Sequence, residues 1–339
     1  MRVGIVRDAF ANPTDAMTFQ EIPGVAMYGT PEKIDSPIPY VPYHFSGQMP
    51  HDLDAYDVAE LYHGWSLGIA RDFPDRTWVT VWDNIEGFAV DMNRQNTQDM
   101  LNLPVAGYIA RTARTADMLC SFYGLSPDQV YIVPAAVDTD RFYPPGQDTP
   151  YSGEVKKILY AGRLTWDKGL TRLVHAMKYL KGRAQLVIAG TGELEGWIKG
   201  TCEGYGVDLD FRGQVDHNAI PDLMRECDIF VYPSIPTPHW VEQFGLSAFE
   251  AVFTGMPTVV SATGAYLEYG DLFHMVAPED IHQLVNVFDA ILKGNGKHIN
   301  PESYGHLSSK AVGEKLTQIY SGEGSQWSLS NSTSDVVEI

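Results

Sequence analysis

Cysteine is scarce in this chain. Only Cys120, Cys202 and Cys227 occur among 339 residues, far apart and with no CxxC spacing. An odd, scattered trio argues against a disulfide framework or a structural zinc site, and fits a reducing compartment. Positive charge is also short: 24 Lys and Arg stand against 43 Asp and Glu, a formal net charge of −19. Both halves of the chain are acidic, so the clustered cations that nucleic-acid binding requires are missing, and no nucleic-acid partner is expected. No apolar run approaches the roughly 20 residues of a membrane span. The opening MRVGIVRDAF has no apolar stretch of signal-peptide length. The expectation is a cytoplasmic protein, with peripheral contact at the inner face of the membrane left open although no basic amphipathic helix supports it. GxxxxGK[ST] and HExxH are absent as well, which gives no support to P-loop or zincin chemistry.

What is present is enough apolar material, 44% of residues, for real cores, and a length that suggests two domains. Residues 2–6 read as a short buried strand, and residues 10–50, rich in Pro, Gly and aromatics, as long loops with at most one strand. Asp57–Tyr62, Thr77–Trp82 and Val130–Val133 read as strands, and Val105–Tyr123 has helical spacing. Pro144-Pro145-Gly146 with Asp148, Thr149 and Pro150 reads as a linker. Beyond it the alternation is regular. Strands are expected at 157–161, 185–189, 209–211, 229–232 and 258–261, with helices at 170–179, to about 203, at 220–227, 246–253 and 281–292. Such alternation means βαβ units and parallel sheets, whose ligands bind beyond the carboxyl ends of the strands. The Ser-rich residues 321–339 read as a disordered tail.

Two motifs carry chemistry. In Ala161-Gly162-Arg163-Leu164-Thr165-Trp166-Asp167-Lys168-Gly169, a strand runs into a loop holding two cations. A planar fork, Arg163, and a point charge, Lys168, suit a diphosphate beside helix N-terminal amides, although two solvated surface cations would give the same pattern. In Glu242-Gln243-Phe244-Gly245-Leu246-Ser247-Ala248-Phe249-Glu250, two carboxylates straddle a helix start. Gly245 allows close backbone approach, and the amides of Phe244, Gly245 and Leu246 are free to meet a phosphate. Carboxylates accept hydroxyl pairs, as on a ribose or a sugar. An N-terminal Glu favoured by the helix dipole is the plainer alternative for Glu242. Glu250 sits among Phe249, Ala251, Val252 and Phe253, where a carboxylate is more readily explained by a partner.

In order along the chain, GRLTWDKG, IAGTGEL, FRGQVDHNAIPDLMRECDIFVYPS and EQFGLSAFEAVFTGMPTVVS resemble the second domain of the retaining nucleotide-sugar glycosyltransferases of glycosyltransferase family 4. The likeness spans about 157–295. It implies the α/β GT-B fold, in which two Rossmann-like parallel-sheet domains face a central cleft. The corresponding division is an acceptor-side domain at 1–145 and a nucleotide-sugar donor domain at 150–298, with a helix at 300–320 returning to the first domain. By the resemblance, Arg163 and Lys168 contact the donor diphosphate, Glu242 the hydroxyls of the transferred hexose and Glu250 the ribose. Gly162, Gly190 and Gly192 belong to the donor side, Val215 faces the base through its backbone, and the Phe244–Leu246 amides hold phosphate and sugar. The reaction implied keeps the anomeric configuration and needs no metal or cofactor, the nucleotide sugar being a co-substrate. The acceptor would be a glycan, a lipid-linked glycan or a small sugar.

The first half departs from the family pattern. Leu61-Tyr62-His63-Gly64-Trp65 keeps one of two expected histidines, Trp82 precedes Asp83 where histidine is usual, and residues 10–14 lack a glycine pair. His63 and Asp83 remain candidates for positioning the sugar or acceptor hydroxyl, with Trp65 and Tyr43 on the acceptor side. Three readings compete. A DxD metal site at Asp138/Asp140, Asp52/Asp54 or Asp208/Asp210 is common by chance in an acidic chain. A dinucleotide fingerprint at Gly190-Thr191-Gly192 has Glu195 where its third glycine belongs. A GT-B epimerase or a degenerate sugar-binding scaffold would share the donor motifs.

Overall fold

The computed structural model describes residues 3–7, 22, 26–29, 40–42, 58–62, 74–81, 105–121, 123–144, 155–237, 240–297 and 301–324. The chain divides into two units, Met1–Asp138 with His306–Ile339, and Thr139–Gly305. The division falls ahead of the proline-rich run, and residues just beyond it are tied to the second unit. There Arg141 donates to the His217 carbonyl at 2.7 Å, Arg225 donates to the Arg141 carbonyl at 3.0 Å, and Phe142 is buried.

The first unit holds a seven-stranded sheet: β1 (Val3–Arg7), β2 (Ala26–Gly29), β3 (Tyr40–Pro42), β4 (Val58–Tyr62), β5 (Thr77–Val81), β6 (Gly107–Ala110) and β7 (Val130–Ile132). Every pairing is parallel, in the order β3-β2-β1-β4-β5-β6-β7. The Pro-rich region contains two strands, β2 and β3, where at most one is expected. Runs of four and three residues are too short to show a period of two.

A second correction concerns Val105–Tyr123. Its first part is β6, and only Ala113–Ser121 is helix, α1. Tyr108, Ile109 and Ala110 are fully buried between β5 and β7. A short apolar run buried on both faces has no polar side, so periodicity cannot separate it from helix. Thr112 then starts α1, its hydroxyl accepting from the Thr115 amide at 3.0 Å.

The C-terminal helix α7 (Ser309–Tyr320) belongs to this unit. Val137 donates to the Leu307 carbonyl at 2.8 Å and accepts from the Ser309 amide at 2.9 Å. At the far end, the Tyr320 ring lies 5.6 Å from Trp78.

The second unit is a six-stranded parallel sheet of β8 (Lys156–Ala161), β9 (Ala184–Ala189), β10 (Leu209–Gly213), β11 (Ile229–Tyr232), β12 (Thr258–Ser261) and β13 (His274–Val276). Its helices are α2 (Leu170–Met177), α3 (Glu195–Tyr205), α4 (Ile220–Arg225), α5 (Leu246–Phe253) and α6 (Ile281–Leu292). The strand β13 and a 3₁₀ stretch at Gly264–Leu272 are additions to the expected pattern. Residues of β11 and β12 are buried throughout, as in a parallel sheet covered on both faces.

The strand order β10-β9-β8-β11-β12-β13 places the site. The chain builds outward from β8 in one direction, then returns to start again at β11, so the crevice between the carboxyl ends of β8 and β11 is the topological switch point. The first unit has its own switch between β1 and β4. Among the described residues no helix is long and apolar enough to cross a membrane.

An aromatic cluster fixes α5 at that crevice. Phe249 stacks on Phe244 at 4.2 Å and meets Tyr269 and Phe273 edge-on at 5.2 and 5.1 Å. Phe249→Ala should therefore lower the unfolding free energy of the second unit by about 3–5 kcal/mol, the usual cost of a Phe-sized cavity. Urea titration followed by circular dichroism checks this; a loss under about 1 kcal/mol would contradict the packing described.

Candidate functional site

The loop after β8 and the loop after β11 meet at the switch point through one ion pair. Lys168 lies in the 3₁₀ turn Trp166–Lys168 that precedes α2. Its Nζ donates to Glu242 Oε2 at 2.9 Å, and the two side chains are 4% and 9% exposed. Asp167 Oδ2 lies 3.5 Å from the same nitrogen. Ser234, fully buried, also donates to Glu242 Oε2, at 3.0 Å. Glu242 Oε2 thus faces the protein, and no donor among the described residues is bonded to Oε1.

The backbone beside Glu242 explains why this carboxylate can sit so deep. Gly264 has φ +56, and a Cβ there would fall 1.6 Å from the Glu242 carbonyl oxygen. Only glycine lets the two segments touch, and the Ala265 amide then donates to that carbonyl at 3.2 Å. Gly245, φ +54, stands immediately before α5. A Cβ on it would collide with the Tyr266 hydroxyl at 1.8 Å and approach Glu242 Cγ at 3.1 Å. The N-terminus of α5 and its amides at Phe244, Gly245 and Leu246 are therefore anchored against the same carboxylate.

Three buried tyrosines surround the pair. Tyr160 and Tyr232 stack at 5.5 Å, and Tyr160 donates to the Arg163 carbonyl at 2.6 Å. Tyr266 donates to the Gly245 carbonyl at 3.4 Å. Burial pushes all three phenols well above their ordinary range, and the negative charge of Glu242 pushes each further. The site is aromatic-walled and holds the Lys168 ammonium with two carboxylates, Glu242 deep and Asp167 nearer the surface.

Arg163 is exposed on the same loop as Lys168. Gly162 follows β8, and its amide donates to Ala189 at 3.0 Å. Gly190 follows β9 and donates to the Gly213 carbonyl at 2.7 Å; Gly192 lies exposed beyond it. Val215 is half-buried just past β10. Glu250 is 5% exposed within α5, and Leu246 is half-buried at its start. Lys168 and Glu242 are thus in contact and Gly245 stands beside Glu242, whereas Val215 follows β10, the edge strand separated from β8 by β9. His63, Asp83, Trp65 and Tyr43 lie outside the described residues, although β4, which His63 follows, borders the first unit's switch point.

Sequence reasoning overlooks several residues here: Ser234, Trp240, Gly264 and the three tyrosines. The centroid of the Trp240 ring lies 3.9 Å from Lys168 Nζ. The residues are 72 apart in the chain, and no local pattern marks the pair.

The tyrosines supply a test with a definite sign. Their folded-state pKa values are raised, so the folded protein holds protons that the unfolded chain releases above about pH 10. Stability should be fully present below that pH and fall as pH rises through it. Glu242→Gln should bring the onset of tyrosine ionisation, read by ultraviolet difference absorbance, to lower pH. An unchanged titration would show that Glu242 does not act on these phenols.

Comparison with known proteins agrees with this architecture. Residues 147–308 match the family model described as glycosyl transferases group 1. An uncharacterized glycosyltransferase of Methanocaldococcus jannaschii is 38% identical over 117 residues, 33% of this chain and 29% of that protein. Mannosylfructose-phosphate synthase of Agrobacterium fabrum is 31% identical over 238 residues, 62% of this chain and 50% of that protein. The chain thus spans half or less of the length of these curated relatives. Among solved structures, Anabaena HepE in complex with UDP superposes with a TM-score of 0.78 at 14% identity, covering 95% of this chain and 100% of that one. Residues 147–308 are therefore a glycosyl transferases group 1 domain, carried on a chain with the GT-B fold.

Proposed function

We propose that this chain is a retaining glycosyltransferase that moves a hexosyl group from a nucleoside-diphosphate sugar to a hydroxyl of a glycan, a lipid-linked glycan or a small sugar. The observation that carries the reading is the buried Lys168–Glu242 pair at the switch point of a group 1 domain. The UDP bound by HepE supports a nucleotide as the ligand of this crevice.

The chemistry follows from the groups present. Cleavage of the bond between the anomeric carbon and the phosphate oxygen leaves negative charge on the departing diphosphate. Arg163, Lys168 and the amides of Phe244, Gly245 and Leu246 stabilise that charge. Glu242, its Oε2 held by Lys168 and Ser234, turns Oε1 to the hydroxyls of the transferred sugar. Glu250 takes the ribose, with Gly162, Gly190, Gly192 and Val215 bordering the nucleotide. The acceptor oxygen attacks on the face the leaving group vacates, and its proton passes to a diphosphate oxygen, so no separate base is needed. Cations of the protein do the work a metal would do. His63 and Asp83, with Trp65 and Tyr43, belong to the acceptor side.

Calorimetric titration with UDP, GDP and ADP in EDTA tests the reading. One of the three should bind wild type, and Lys168→Ala should weaken that binding at least tenfold, about 1.4 kcal/mol. A folded chain that binds none of them would overturn the donor site and favour the degenerate scaffold.

A further inference from the structure

Trp240 has no part in the chemistry above, yet it touches the centre of the site. Its ring is half-buried and its centroid lies 3.9 Å from Lys168 Nζ, with the Tyr232 ring at 5.5 Å. The residue is held there through its main chain. Its backbone is pinned to Thr237 in both directions, the Thr237 amide donating to the Trp240 carbonyl at 2.7 Å and the Trp240 amide to the Thr237 carbonyl at 3.3 Å. Lys168 is thus enclosed by a carboxylate on one side and an indole face on another, with only 4% of its side chain exposed.

The two contacts differ in kind. The bond to Glu242 is directional and uses one N–H of the ammonium. Attraction to an aromatic face acts on the whole cation and is strongest where water is excluded. A lysine that must serve a diphosphate has to turn away from Glu242 without leaving the site. A flexible four-carbon stem would otherwise let the ammonium swing to water or stay locked on the carboxylates of Glu242 and Asp167.

We propose that Trp240 is a positioning residue that acts through Lys168, its indole face holding the ammonium in place while the ammonium changes partner from Glu242 to the donor diphosphate. The proposal rests on the donor-site reading above. It gives Trp240 no contact with the nucleotide sugar; its whole effect passes through one charge.

That last feature makes it testable by a double-mutant cycle. Binding of UDP, GDP and ADP in EDTA would be measured for wild type, Trp240→Leu, Trp240→Phe, Lys168→Met and the two double variants. Trp240→Leu should weaken diphosphate binding by about tenfold, and Trp240→Phe, which keeps an aromatic face, by less. In the Lys168→Met background either change should alter affinity by less than about twofold, the coupling expected of groups that act on each other. Equal losses in both backgrounds would show that Trp240 merely packs, and would overturn the proposal while leaving the donor site intact. A Trp240→Leu affinity equal to wild type would overturn it too. If Trp240→Leu does not fold, the Trp240→Phe cycle carries the same comparison. Failure of the wild type to bind any diphosphate, or undiminished binding by Lys168→Met, would remove the donor-site reading itself and the proposal with it.

Discussion

A lysine and a glutamate buried together at the end of a parallel sheet constrain everything near them. Each charge alone would cost several kcal/mol to remove from water, and only close pairing offsets that. Lys168 and Glu242 come from loops after β8 and β11, strands adjacent in space but widely separated in sequence. Their pairing therefore requires the sheet order, and the sheet order requires buried strands that pair in parallel. Gly264 and Gly245 matter for the same reason, since a side chain would strike the Glu242 carbonyl oxygen at the first and the Tyr266 hydroxyl at the second. Ser234 supplies the second hydrogen bond to the inward oxygen. Such a pair is a poor way to stabilise a fold, because well-packed apolar residues do as well. Its presence in a crevice makes better sense as pre-arranged charge for a ligand.

Much of the second unit was legible from the residues because buried parallel strands and the helices between them leave a strong signature. Runs such as Ile229–Tyr232 and Thr258–Ser261 are continuously apolar or β-branched and are set off by Pro, Gly or Ser. The same feature misled at Gly107–Ala110, where a strand buried on both faces ran on into a helix and looked like one helix. The strand His274–Val276 was too short to announce itself. At the crevice, the ordered motifs marked Lys168 and Glu242, which the structure pairs, together with Arg163 on the same loop and Glu250 within α5. Residues that act across the chain were not marked. No sequence pattern links Trp240 to Lys168, or Tyr160, Tyr232 and Tyr266 to Glu242, because those relations exist only once β8 and β11 lie side by side.

The charge of the chain also finds a place in this picture. An acidic protein repels anionic ligands in general, so the proposed diphosphate site would be a local exception. Arg163 and Lys168 share the loop after β8, and the start of α5 follows the loop after β11 beside them. The buried tyrosines around the pair lower the local polarity, which strengthens the Lys168–Glu242 attraction. Lysine, carboxylate, helix end and aromatic wall thus lie together at one crevice.

The claim that this arrangement performs chemistry is tested most directly by turnover. Release of nucleoside diphosphate from UDP-, GDP- and ADP-glucose and from GDP-mannose would be followed for the whole chain and for Glu242→Gln, with a mixed pool of mono- and oligosaccharide acceptors. The account predicts that wild type releases diphosphate from one of these donors and that Glu242→Gln, while still binding the nucleotide, is slower by about a hundredfold or more. Equal rates for the two proteins, or a wild type that binds a diphosphate yet turns over none of these donors, would contradict it.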